Sequence, residues 1–168
     1  MTNNSNDALF SFLYSIENSF KMPLYKKLIG RIRETGDVDA VMTGATAISG
    51  MTMLQVAAAH GDANITRRLI ALGADCNAGD HSGTPLLLSR LKILCSLIRE
   101  KSDGEQIRKE ADMVKLLIKG GADLTLRDPS IEESELSGIF KDAFDYAKEI
   151  PDETVRNEIL GLLFAKSG

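Results

Sequence analysis

Gly50-Met51-Thr52-Met53-Leu54-Gln55-Val56-Ala57-Ala58-Ala59-His60-Gly61-Asp62, continued by Ile65-Thr66-Arg67-Arg68-Leu69-Ile70-Ala71-Leu72-Gly73-Ala74-Asp75, is the stretch that decides the fold. Its apolar residues recur at helical spacing in two short runs, each followed by a glycine suited to a left-handed helix end. Thr52 precedes the first run and supplies a side-chain oxygen for an N-cap. The triplet Gly-Ala-Asp returns at the end of Met113-Val114-Lys115-Leu116-Leu117-Ile118-Lys119-Gly120-Gly121-Ala122-Asp123. Thr84-Pro85-Leu86 restarts the pattern 32 residues after Thr52, so the chain repeats. Leu69 and Ile70 match Leu117 and Ile118 in the two copies, and all four are expected in the core.

The pattern resembles the ankyrin repeat, Gly-x-Thr-Pro-Leu-His-x-Ala-Ala-x-x-Gly followed by an apolar helix ending in Gly-Ala-Asp. Residues 50–78 follow it with Met53 and Gln55 where the family has proline and histidine. Met53, in the proline position, is expected to be partly buried. The spacing is one residue short of the family period of about 33, and the missing residue falls between Gly83 and Thr84. The resemblance implies an all-α fold: a short solenoid of stacked helix-turn-helix units with degenerate capping units at the ends.

Working outward, the second copy is too long. Gly73 to Gly121 is 48 residues, about 15 more than one period. Ile93, Leu94, Leu97 and Ile98 carry the apolar rhythm onward, and Ser102-Asp103-Gly104 marks a reversal. Residues 79–126 are therefore expected to hold a repeat with an extended helical hairpin. The stripe within residues 93–108 either packs the two helices together or stays exposed as a ridge for a partner.

Residues 127–168 read as a degenerate C-terminal capping repeat. Asp142-Ala143-Phe144-Asp145-Tyr146-Ala147-Lys148 is its worn first helix, and Val155 to Leu160 lies in the second. Residues 130–138, with Glu132, Glu133 and Glu135, are expected to pack loosely. Upstream, Leu24 to Glu34 reads as a first helix, and Gly36 to Val41 as a turn and the start of a second. That makes 23–49 a truncated repeat. Residues 1–22 form a capping helix carried by Leu9, Phe10, Phe12, Leu13, Ile16 and Phe20.

Charge narrows the function. The net charge is −4, and residues 123–168 hold 5 Lys/Arg against 11 Asp/Glu. A nucleic-acid surface needs clustered cations, so none is expected. No run approaches the roughly 18 apolar residues of a membrane span, and the polar start Thr2-Asn3-Asn4-Ser5 lacks a secretory n-region. Cys76 and Cys95 have no ligand or redox spacing and are expected as buried free thiols in a reducing compartment, with one disulfide as the lesser alternative. The only histidines, His60 and His81, lack companion metal ligands. Gly79-Asp80-His81-Ser82-Gly83-Thr84 resembles a phosphate loop only in its glycines, since the Gly-Lys-Ser/Thr ending is missing. The cluster Glu132-Glu133-Ser134-Glu135 is expected to be a solvated loop. With no nucleophile–base pair in view, no catalytic residue, cofactor, metal or small-molecule substrate is expected.

The resemblance implies a protein partner, met by inter-repeat loops and by exposed positions of the first helix. On the loops these are Ile48, Ser49, Met51, Asp80, His81 and Ser82; on the helices they are Gln55, Ala59, His60 and Arg90. The expected function is a cytoplasmic protein–protein interaction module acting as adaptor, regulator or inhibitor. Two alternatives stand beside it. One is a secreted bacterial or viral effector acting on a host protein in the host cytosol, and the other a structural subunit of a fixed assembly.

Overall fold

A computed structural model describes residues 7–9, 11–15, 23–41, 50–80, 82–129 and 141–168. The chain divides into two compact units, 1–75 and 76–168. The fold is all-α. Among the described residues the only β pairing is a single antiparallel bridge between Gly79 and Pro85.

The first unit is helical at 7–9 and 11–15 and contains α1 (Pro23–Thr35), α2 (Met53–Ala59) and α3 (Ala63–Ala71). A seven-residue helix such as α2 is too short to persist on intrinsic propensity, and a reciprocal cap holds it. The Gln55 amide N–H donates to the Thr52 hydroxyl at 3.3 Å, and the Thr52 N–H donates to Gln55 Oε1 at 2.8 Å. Both side chains are buried, so water cannot replace either bond and losing one leaves an unmet group. Met53 is fully buried, where partial burial was expected; its flexible thioether fills space that a proline ring would fill less completely. α2 packs on α3, with Leu54, Val56, Ala57 and Ala58 buried on one and Ile65, Thr66 and Leu69 on the other.

α3 and α5 (Gly104–Lys119) end alike. The Gly73 N–H bonds the Ile70 carbonyl at 2.9 Å and the Ala74 N–H reaches Leu69 at 3.0 Å. Gly121 and Ala122 do the same to Ile118 and Leu117 at 3.3 and 3.2 Å. Both glycines sit at positive φ, +90° and +99°, which a Cβ disfavours. Lys101 closes α4 (Leu86–Arg99) by the same double bond, yet is not glycine; its φ is 54°.

The turn after α1 corrects one expectation. Gly36 has φ +70°, residues 36–41 form a turn rather than a new helix, and Asp39 Oδ1 accepts the Asp75 N–H at 2.9 Å. In the second unit Asn77 Oδ1 accepts the Asp123 N–H at 2.7 Å. Asp39 after α1 thus does what Asn77 does after α3. The helix expected as first of a truncated unit therefore ends as a second helix ends.

The second unit contains α4, α5, α6 (Ala143–Lys148) and α7 (Glu153–Ser167). The expected extended hairpin is present: α4 and α5 pack along each other and reverse at 100–103. Leu91, Leu94, Cys95, Val114 and Leu117 are buried, and Leu97, Ile98 and Ile107 half-buried. Most of the apolar stripe therefore packs, and Ile93 alone stays exposed, at 36%. Cys76 and Cys95 are both buried and form no disulfide. Burial raises the Cys95 thiol above its ordinary value, against the pull of Arg99, which keeps it protonated and unreactive. The expected loose segment 130–138 lies outside the described residues, as do Phe10, Ile16 and Phe20.

Leu117 and Ile118 are both fully buried, but Ile70 is only half-buried beside a fully buried Leu69. α5 packs against both α4 and α7, so two faces of that helix are covered. Leu69→Ala should lower the unfolding free energy by about 3 kcal/mol and Ile70→Ala by at most about 1 kcal/mol. Urea titrations of the two variants check the contrast, and equal losses would show that the register of α3 is wrong.

Candidate functional site

The bridge between Gly79 and Pro85 closes a finger whose geometry is set by one side chain. The Asp80 N–H donates to the Thr84 carbonyl at 3.0 Å and the Gly83 N–H to the Asp80 carbonyl at 2.8 Å. Asp80 Oδ1 accepts the N–H groups of Ser82 and Thr84 at 2.8 and 3.1 Å, and Oδ2 accepts the Ser89 hydroxyl at 3.3 Å. A Cβ on Gly79 would lie 2.9 Å from the Gly83 carbonyl carbon and oxygen, so the glycine permits two backbones to meet. This accounts for the glycines that resemble a phosphate loop. Asp80, expected to face a partner, is half-buried and occupied in shaping the finger, whereas Ser82 is exposed.

The finger leads into α4, where Ser89, Ile93 and Ser96 share one face at i, i+4 and i+7. Ser89 is half-buried, and Ile93 and Ser96 are exposed. The expected contact Arg90 lies off this face. Its guanidinium approaches the Glu110 carboxylate at 3.5 Å, each side chain only 11% exposed. The longer hairpin supplies that acid, and sequence spacing alone carried no sign of it. Burial holds the Glu110 carboxyl above the usual glutamate range, with Arg90 pulling the other way.

On another side of α4 lies a cluster that sequence reasoning missed. The Asp128 carboxylate is fully buried and accepts the Tyr146 hydroxyl and the Lys92 ammonium, with the Thr84 hydroxyl at 3.5 Å. Lys92 and Lys141 lie 5.7 and 5.5 Å from the centre of the Tyr146 ring, within cation–π range. Burial and the Asp128 carboxylate raise the Tyr146 hydroxyl above the ordinary tyrosine value. A signal was present: Asp128 follows Asp123 by the same five residues that separate Asp80 from Asp75.

In the first unit Ala59 and His60 are exposed and Met51 is half-buried. The His60 ring lies 6.3 Å from that of Tyr25, whose hydroxyl donates to Asp62 at 2.6 Å. Burial and that carboxylate raise the Tyr25 hydroxyl. Gln55, expected on the surface, is buried in the α2 cap and is withdrawn as a contact. Ile48, Ser49 and His81 lie outside the described residues. Among the described residues no three His, Cys, Asp or Glu side chains are grouped to hold a metal, and no helix is long and apolar enough to cross a membrane.

The family model for the ankyrin repeat matches residues 49–81, which span α2, α3 and the start of the finger. The chain carries an ankyrin repeat. Its whole fold agrees with that match: it is similar to the crystal structure of an ankyrin repeat domain from Acinetobacter baumannii AYE. The TM-score is 0.50 at 20% identity, over 97% of this chain and 95% of that one. No match is found among curated proteins.

Two predictions follow from the buried carboxyls. Tyr146→Phe removes a donor from a dry carboxylate and should destabilise the chain by about 1–3 kcal/mol, read as a lowered urea midpoint. Glu110 binds its proton more tightly folded than unfolded. Its contribution is therefore full below the unfolded glutamate value and is lost as pH rises through the raised folded value. Glu110→Gln should flatten that fall in stability in urea melts between about pH 4 and 7. An unchanged profile would remove Glu110 as its source.

Proposed function

We propose that the chain is a non-catalytic protein-binding module of a reducing, cytoplasmic compartment, working as an adaptor, regulator or inhibitor. The observation that carries this reading is the face beside the finger. Asp80 fixes the loop, Ser82 stands exposed on it, and α4 turns Ile93 to solvent while the opposite side of the same helix is buried. An exposed apolar side chain between two serines on one helix face, beside a loop fixed by Asp80, is a surface that a partner can cover. Ankyrin repeats are in general protein-interaction modules, and the repeat at 49–81 supports the same class. Ala59 and His60 are exposed at the end of α2. The two buried cysteines, which form no disulfide, fit a reducing compartment.

Ile93→Asp and Ser82→Arg place a charge and bulk on exposed positions, so thermal melts should shift little. Affinity capture from native lysate should lose the specific partner with either variant, by tenfold or more, about 1.4 kcal/mol. Full retention with both variants would show that partners use another surface. A partner that stays bound in fixed stoichiometry through every wash would favour a structural subunit over an adaptor.

A further inference from the structure

The first unit contains a groove of about 450 Å³ lined in part by Ser11, Phe12, Ser15, Arg68, Ala71 and Leu72. We propose that this groove is an acidic-peptide site, in which Arg68 receives an aspartate or glutamate side chain of a partner protein and the apolar wall receives that side chain's neighbour. It is separate from the α4 face and does not depend on that face binding anything.

Arg68 is the reason for the sign. It sits in the last turn of α3, is exposed, and its guanidinium carbon lies 5.4 Å from the centre of the buried Phe12 ring. A guanidinium lying over a ring keeps its N–H edge available, because the donors lie in its own plane. Among the described residues no carboxylate pairs with it. Three described acids of this unit are engaged elsewhere: Asp62 by Tyr25, Asp39 by the Asp75 N–H and Glu34 by Arg31. The neighbouring Arg67 is occupied with Asn64 at 3.1 Å. Nor does Arg68 serve to cap α3, whose last carbonyls are met by the N–H groups of Leu72, Gly73 and Ala74.

The rest of the lining selects the occupant. Among the described residues no acidic side chain lines the groove, and Arg68 is the cation there for a carboxylate to meet. Ala71, Leu72 and Phe12 give an apolar wall for a hydrocarbon stem, while the Ser11 hydroxyl is exposed as a second donor. The Ser15 hydroxyl is turned back to the Phe12 carbonyl at 2.7 Å and shapes the wall. The volume lies at the lower end of the range of about 300–1,000 Å³ for small-ligand clefts, enough for an acidic side chain and its neighbour. A single weakly hydrated guanidinium against hydrocarbon suits a carboxylate on a peptide; a free phosphate would call for more cations.

The test is a titration of the intact chain with two capped tripeptides, acetyl-Leu-Glu-Leu-amide and its Gln counterpart, followed by the Arg Nε–H and backbone amide resonances. The Glu peptide should give saturable shifts at Arg68, Ser11 and Leu72 below about 10 mM, weakened by added salt. The Gln peptide should bind at least about tenfold more weakly. Arg68→Gln, an exposed change, should keep the melting temperature and lose the discrimination, while Arg67→Gln should keep it. Equal response to both peptides, no saturation by about 10 mM, or undiminished discrimination in Arg68→Gln each overturns the proposal. Equal binding of acetate or inorganic phosphate alone would replace the peptide with an adventitious anion and overturn it as well. Loss of the lysate partner through Ile93→Asp leaves all of these readouts unaffected, so the two surfaces fail or stand independently.

Discussion

Asp128 is a carboxylate in a dry place, and groups from three other segments of the second unit converge on it. An unpaired charge in such a position is prohibitive, so the loop that carries it must stay near Lys92 on α4, Tyr146 on α6 and Thr84 at the base of the finger. Three segments distant in sequence are thereby fixed to one point. A buried ion pair adds little net stability against well-packed hydrocarbon, but removing one partner is severe. Its effect is to specify where α6 attaches, which the short α6 could not do with its few apolar residues alone. Asp80, five residues beyond Asp75 as Asp128 is beyond Asp123, performs the local version of the same task. It binds the finger's own backbone and one serine of α4.

Much of the fold was legible because the repeat pattern encodes local events: a cap at Thr52, left-handed residues at Gly73 and Gly121, and a reversal at 102–104. Reading failed where a position served a purpose that spacing does not reveal. Gly36-Asp37-Val38-Asp39 is one residue shorter than Gly73-Ala74-Asp75-Cys76-Asn77. Only the bond from the Asp75 N–H to Asp39 shows that the two turns are equivalent and that α1 ends as a second helix. Gln55 stands where the family pattern leaves freedom, yet its amide is drawn into the cap of its own short helix. Arg90 belongs to the same class of error. The lengthened α5 brings Glu110 alongside and pulls the guanidinium off the contact face, leaving Ile93 as the exposed residue.

Burial sets the protonation of several side chains. Cys95 is held protonated among apolar neighbours, and the two buried tyrosines are pushed to higher values by the carboxylates they serve. Among the described residues beside the finger, Ser82, Ile93 and Ser96 are exposed, and the Ser96 hydroxyl donates to the Glu100 carboxylate at 2.7 Å.

The lengthened α4–α5 hairpin also bears on how the chain acquires its structure. Its two helices are neighbours in sequence, joined by a four-residue reversal at 100–103, and between them bury Leu91, Leu94, Val114 and Leu117. Contacts between sequence neighbours incur little loop-closure entropy and form early. In arrays where each unit touches only its neighbours, ordering starts at the most self-sufficient segment and spreads. The hairpin is a segment of that local kind, and Lys101, in a left-handed conformation, sits on the turn at its tip. The insertion that makes this repeat irregular therefore adds contacts between sequence neighbours.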